Sequence, residues 1–290
     1  MSVLPLANLP VVNSAYCAFC KCSAAEGPSS GCPGPIQILN TSICPLTQAQ
    51  CVSAIMEALQ QGRGGWVVTP NLDHVRRSAT DSTYAHAIRE AELRVADGMP
   101  LIWASRLQGT PLPERGRFGP HLRLSRGLSE RKGSVFLLGG DPGTAESSAK
   151  VLAQTYPGLA IAGICCPPMG FENDPILFEG IKKQIVDSRA DVVFVALGSP
   201  KQEYLIRRLR NLLPRAWWIG VGITFSFVCG NVRRAPRWMQ RWGLEWIHRL
   251  IQEPRRLAAR YLFHGMPFGL KLLVRSAFRG RPTDIERHSA

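Results

Sequence analysis

Short apolar runs alternate with amphipathic stretches from residue 65 onward, and this alternation constrains the fold more than any other feature of the chain. The runs are GWVVT at 65–69, LRVA at 93–96, SVFLL at 134–138, LAIAGI at 159–164, DVVFVAL at 191–197 and AWWIGV at 216–221. Each is short for a helix and rich in residues that fit a pleated surface covered on both sides. Helical spacing intervenes at 144–155, 175–188 and 201–212, and Asp81 stands where the cap of STYAHAIREAE belongs. Strands alternating with helices predict βαβ units, hence an α/β, Rossmann-like parallel sheet flanked by helices. Ligands of such sheets bind beyond the carboxyl ends of the strands. The tips to search are therefore 69–71, 96–98, 139–143 and 198–203.

The remaining segments frame that unit. Residues 1–35 are punctuated by Pro, Gly and Ser and keep no period, so a disordered leader is expected before an ordered domain over 36–232. The leader holds Cys17, Cys20, Cys22 and Cys32, four of the nine cysteines. Thiolates suit zinc, but the spacing lacks a second pair, and free thiols are the reading adopted. No basic n-region of a secretion signal precedes it, and no apolar run reaches the roughly 18 residues of a spanning helix. A cytoplasmic location is expected.

Charge is unevenly placed. The formal net charge is +14, and residues 233–290 carry 13 Lys/Arg against four Asp/Glu. Such a surplus calls for an anionic partner: nucleic acid, an acidic membrane or a phosphorylated substrate. Over 233–264, Trp238, Trp242, Trp246, Leu250 and Leu257 recur at helical spacing interrupted by Pro254. This predicts a helical basic C-terminal appendage packed on the sheet through its tryptophans. The tail, 265–290, mixes Phe and Leu with Lys271, Arg275, Arg279 and Arg281, as a helix in a membrane interface does; a partner-docking helix would use the same residues.

At the strand tips, LGGDPG (138–143) puts Gly139 and Gly140 where backbone amides can approach a phosphate, although a plain tight turn has the same composition. In ALGSPKQE, Pro200 is expected at the first helical position, with Lys201 and Gln202 facing the crevice to meet a phosphate and a base or sugar hydroxyl. A capped junction is the competing view. Thr69 and Asn71 are candidates for a nucleotide or donor sugar, or for a loop that satisfies its own backbone. Asp97 follows a strand and precedes Gly98; a carboxylate there can take a proton from an attacking hydroxyl, unless it is a plain turn residue. Together these parts fit group transfer from a phosphorylated donor. No Asp-x-Asp occurs in the sequence to hold a metal, and arginines can neutralise a leaving diphosphate instead.

The motifs TPN at 69–71, ADG at 96–98, ER at 114–115 with Gly119, LGG at 138–140, LGSPKQE at 197–203, GVG at 220–222 and residues 234–261 resemble the WecG/TagA/CpsF family of bacterial glycosyltransferases. The resemblance implies transfer of N-acetylmannosamine, its uronic acid or glucose from a UDP-sugar to a lipid-diphosphate-linked acceptor, with inversion and with no metal or other cofactor. It implies Asp97 as catalytic base, and Thr69, Asn71, Arg115 and Gln202 in the donor pocket. It also implies Arg249, Arg255, Arg256 and Arg260 near the diphosphate, with the appendage closing at the inner face of the plasma membrane. Two positions depart from the family pattern. Phe225-Ser226 stands where Phe-Asp is usual, and Gly119-Pro120-His121 where Gly-x-Asp is.

Two other function classes fit less well. A nucleic-acid-binding protein would suit the basic C-terminus, but no helix-turn-helix, zinc-finger or RNP signature occurs, and nucleic acid is not an expected partner. A dinucleotide oxidoreductase lacks its GxGxxG. The sequence leaves the oligomeric state open, a homo-oligomer included.

Overall fold

The computed structural model describes residues 34–113, 120–236, 238–239 and 242–279, with Pro120, His121, Arg256 and Arg260 described by their backbone alone. The expectations for the cysteine leader, for Arg115 and for the last residues of the tail lie outside the described residues.

A hairpin of β1 (Ile36–Ile38) and β2 (Thr41–Ile43) leads into α1 (Gln48–Gln60), capped by Thr47. Then follow β3 (Gly65–Val68), α2 (Leu72–Thr80), α3 (Ser82–Arg89), β4 (Leu93–Arg94), α4 (Met99–Leu107) and α5 (Pro120–Glu130). The second half runs β5 (Ser134–Gly139), α6 (Thr144–Thr155), β6 (Ala160–Cys165), α7 (Pro175–Ser188), β7 (Val192–Ala196), α8 (Lys201–Leu209), β8 (Trp217–Gly220) and α9 (Thr224–Val228). Six strands form one parallel sheet in the order β4-β3-β8-β7-β5-β6. The α/β, Rossmann-like expectation is met.

Period two in the strands sends neighbouring side chains to opposite faces. Val67, Val135, Val192, Phe194 and Trp217 pack under α1, α5 and α6. Trp66, Phe136, Val193 and Trp218, one residue along, pack under α3, α7 and α8. Two covered faces explain why the strands read as unbroken apolar runs. Each fully buried Phe or Leu contributes about 1.5–3 kcal/mol. The hairpin, α4 and the last helix share a third cluster that includes Ile38, Ile43, Leu101, Ile102 and Leu272.

β4 is the shortest strand and lies at the sheet edge. Arg94, 3% exposed, stabilises it from within. Its Nε donates to the Ser42 carbonyl at 2.9 Å, and Nη1 donates to the carbonyls of Arg89, at 3.0 Å, and Ala91. Burial draws its pKa below the usual arginine range, and the nearby carboxylate of Glu92 opposes that shift. The Cys44 amide returns a bond to the Arg94 carbonyl at 2.7 Å, so the hairpin seals that edge.

Beyond β8 the chain becomes helical. α10 (Glu245–Gln252) ends before Pro254, which opens α11 (Pro254–Ala258); a π-helical stretch (Ala259–Gly265) leads to α12 (Met266–Arg279). Helix interruption at Pro254 is as expected. The tryptophan packing is not. One turn joins Trp238 to Trp242 (Trp242 N to Trp238 O, 3.1 Å), and Gly243 with φ +71° ends it before α10 begins. The helical phase is therefore reset between Trp242 and Trp246. Trp238 and Trp242 are 59% and 72% exposed, while Trp246 meets only the edge-on ring of Tyr261 at 6.1 Å among aromatic partners described. Trp238 and Trp242 therefore do not pack the appendage onto the sheet.

Candidate active site

Parallel pairing brings the carboxyl ends of β4, β3, β8, β7 and β5 into one row, and the loops that leave them are tied together. Asp97 N donates to Pro70 O at 2.7 Å, linking the β4 and β3 tips. Gly140 N donates to Ala196 O at 2.8 Å, linking β5 and β7. Gly222 N donates to Gln202 Oε1 at 3.1 Å, linking β8 and β7. Thr69, Asn71 and Asp97 are thereby neighbours on adjacent loops, all three half-buried.

Asn71 has a defined local task. Its Oδ1 accepts from the Asp73 and His74 amides at 3.0 and 3.3 Å, as an N-cap does at the exposed amides of a helix start. His74 Nδ1 lies 2.8 Å from the same oxygen. Gly98, φ +96°, caps α4 and turns the chain directly after Asp97.

On the other side of the row, Gly139 and Gly140 have φ +89° and +90°. A Cβ on Gly140 would lie 2.6 Å from Thr144 Oγ1, so the turn admits glycine alone. Asp141 lies 3.4 Å from the Ser226 hydroxyl, which donates to it. Pro200 occupies the N-cap of α8, one position ahead of the expected N1. Its ring still starts the helix, because neither position requires an amide proton. Lys201 Nζ reaches Glu172 Oε1 at 2.9 Å across an exposed surface. That hydrogen bond holds the Glu172 carboxyl below the usual range. Gln202 is 6% exposed, and its amide is committed at both ends: Nε2 donates to Glu203 Oε1 at 2.8 Å and Oε1 receives Gly222 N.

Glu203 ends the 197–203 motif without an expected role, and His74 lies outside every motif. Both are buried, and His74 Nε2 lies 3.4 Å from Glu203 Oε1. Burial pushes the Glu203 carboxyl up, but the hydrogen bond and charge of His74 outweigh it and the net direction is down. The one available signal was a histidine three residues after a capping Asn and a glutamate beside Gln202.

The appendage meets this same row. A Cβ on Gly243 would lie 2.8 Å from Met99 Cβ, and Met99 is two residues after Asp97. A Cβ on Gly269 of α12 would lie 3.2 Å from Leu72, the residue after Asn71. Arg249 is half-buried on α10, and its Nε is buried with no hydrogen-bond partner among the described residues. Arg255 is exposed, and Arg256 and Arg260 are described by backbone only, on α11 and the π-helical stretch.

α12 is built of three stripes. Gly269, Leu272 and Ser276 are buried against the protein. Met266, Leu270, Val274 and Phe278 are exposed, and Phe263 continues their line. Lys271, Arg275 and Arg279 run beside them, also exposed. No helix among the described residues is long and apolar enough to cross a membrane. A separate cavity of about 820 Å³ is lined by Gly34, Gln37, Gln108, Thr110 and Arg279 among others, none at a strand tip. Cys44, Cys51, Cys165, Cys166 and Cys229 are free thiols, and burial pushes Cys51 up to about 12.

Comparison with known proteins agrees with the geometry. Over 199 residues, 68% of this chain and 75% of the relative, the chain is 31% identical to an N-acetylglucosaminyldiphosphoundecaprenol N-acetyl-beta-D-mannosaminyltransferase of Bacillus spizizenii strain W23. It is 33% identical, with the same coverage, to the protein of that name in Bacillus subtilis strain 168. The description "Glycosyl transferase WecG/TagA/CpsF family" matches residues 36–282, from β1 to beyond α12. A parallel sheet whose acid-bearing tip lies under an arginine-rich appendage, together with that match, makes this chain a glycosyltransferase of the WecG/TagA/CpsF family.

Proposed function

We propose that the chain transfers a hexosyl unit from a UDP-sugar to a lipid-diphosphate-linked saccharide, with inversion and without a metal ion, for a cell-surface polysaccharide. The relatives' names support N-acetylmannosamine as the sugar and N-acetylglucosamine on undecaprenyl diphosphate as the acceptor. The observation that carries the reading is the contact of Gly243 with Met99: it brings the basic appendage onto the loop that follows Asp97. A general base and a set of cations then serve one reaction centre.

Asp97 takes the proton of the acceptor hydroxyl as its oxygen attacks the anomeric carbon. The bond from that carbon to the diphosphate oxygen breaks, and UDP leaves with the bonding pair. One displacement inverts the centre, so an α-linked donor gives a β product. Arg249, Arg255, Arg256 and Arg260 neutralise the departing charge. Thr69, Asn71 and Arg115 contact the donor, Gly139 and Gly140 admit its phosphates, and Lys201 and Gln202 shape the β7 side. The domain is assigned to 36–232, the appendage to 233–264 and the membrane-associating tail to 265–290. The exposed apolar stripe of α12 beside Lys271, Arg275 and Arg279 supports binding to an anionic bilayer from the cytoplasmic side.

The test is a donor screen with purified full-length chain, a short N-acetylglucosaminyl lipid diphosphate, and UDP-N-acetylmannosamine, its uronic acid and UDP-glucose. UDP-N-acetylmannosamine should give a β-linked disaccharide in the presence of a chelator. Absence of transfer from all three donors, or a strict need for a divalent ion, would refute the reading.

A further inference from the structure

His74 sits beneath the site and belongs to none of the roles above. It links the first turns of α2 and α8, at residues 129 apart in sequence. On one side Nδ1 is 2.8 Å from Asn71 Oδ1; on the other Nε2 is 3.4 Å from Glu203 Oε1. Glu203 continues through Gln202 Nε2 at 2.8 Å, and Gln202 through Gly222 N at 3.1 Å. The tips of β3, β7 and β8, adjacent in the sheet, are thus joined by a single buried polar chain.

Hydrogen-bond chemistry sets the proton count along this chain. Asn71 Oδ1 already receives two backbone amides, which fixes it as the oxygen of the side chain. An oxygen cannot donate, so the 2.8 Å contact requires a proton on His74 Nδ1. The Asn71 amide also lies 3.4 Å from Nδ1, where it would need a lone pair; the shorter contact prevails. Glu203 Oε2 is buried with no hydrogen-bond partner among the described residues, and such an anion needs a cation beside it. A proton on His74 Nε2 supplies the cation. Tyr84, the other titratable ring facing His74 at 6.3 Å, directs its hydroxyl to Ser199 Oγ at 3.1 Å and is kept neutral by burial and then by the charge of Glu203. Asp73, next in the chain, faces Arg76 and Arg77.

We infer that His74 is a doubly protonated positioning residue, held on Glu203, which fixes the Asn71 amide so that its Nδ2 donors are presented to the sugar-nucleotide. The inference rests on the proposed donor role of Asn71. With Oδ1 turned into the helix start and held by three donors, Nδ2 occupies the opposite fork of the planar amide. Loss of the imidazolium removes the shortest of the three contacts that hold that amide and loosens its orientation. Glu203 then stays buried without its charge partner, and the β7 loop loses its register with the β3 loop.

Two measurements test this. In ¹⁵N-labelled full-length chain at neutral pH, both ring nitrogens of His74, assigned by their loss in His74→Gln, should resonate as protonated. Glu203→Gln should convert the ring to a neutral tautomer. A neutral ring in the wild type, or an unchanged imidazolium in Glu203→Gln, would overturn the charge assignment. The second is UDP affinity in a double-mutant cycle. His74→Gln should weaken UDP about tenfold, and less than about twofold when Asn71 is already Ala. An undiminished effect in the Asn71→Ala background would make His74 a merely structural residue. Wild-type affinity in Asn71→Ala alone would instead remove Asn71 from the donor pocket and the positioning role with it, while the nitrogen spectrum would still report the charge.

Discussion

Trp66, Trp217 and Trp218 are at most 1% exposed, whereas Trp238 and Trp242 are 59% and 72% exposed. The same residue type closes a core in one half of the molecule and faces outward in the other. The polar groups divide in the same way. Asn71, His74, Gln202 and Glu203 are bound to one another beneath the sheet tips, while Arg255 lies exposed and Arg249 keeps a buried nitrogen without a bond among the described residues. Groups that are already paired cost little to hold in place during a reaction. Groups that are not paired stay open to a ligand. The sheet tips are thus a finished surface and the appendage an unfinished one, as suits the lipid-linked acceptor proposed above.

The largest test of this contrast is at the finished side. Asp97→Asn should lower kcat by about 10²–10⁴-fold and leave UDP binding intact, measured by turnover and calorimetry. Next, Trp218→Ala should cost about 3–5 kcal/mol in denaturant unfolding, whereas Trp242→Ala should stay within about 0.5 kcal/mol. Equal losses would erase the distinction between the halves. Arg249→Ala should reduce kcat/KM by an amount equivalent to about 1.5–3 kcal/mol without a change in unfolding midpoint. Serine at Met266, Leu270, Val274 and Phe278 together should abolish sedimentation with anionic vesicles while UDP still binds. Removing all of α12 would be less informative, because Leu272 belongs to a core.

The smallest effect is on acid stability. Glu203 keeps its charge in the folded state to lower pH than in the unfolded chain. Its contribution is therefore complete above the ordinary glutamate value of 4.5 and is lost as pH falls through the lower folded value. Glu203→Gln should be less stable at neutral pH and show a shallower decline below that value in acid titrations of unfolding.

Much of the sheet was legible because buried parallel strands leave an unmistakable composition. The runs at 134–138 and 191–197 became β5 (Ser134–Gly139) and β7 (Val192–Ala196). The run at 93–96 shrank to Leu93–Arg94, since only two residues pair with β3. The hairpin was not read, because strands of three residues carry no period. The tryptophan series misled for a related reason: equal spacing in sequence means one face only if the helix is continuous, and Gly243 breaks it. Asp97 and Asn71 could be located from their strand ends. The connection of Asn71 through His74 to Glu203 could not, since it exists only once α2 and α8 are brought together by the sheet.

Arg94 has a last implication. A two-residue strand has few ladder bonds to define its own position, so beside the backbone bonds at its end the shelf that bears Asp97 is braced by one internal guanidinium gripping three carbonyls. Drift of an ångström at a reacting group can cost about a hundredfold in rate. A chain relaxed at that rivet would remain folded and bind its nucleotide, yet be slow, with its defect in the alignment of the acid and not in any group that touches sugar.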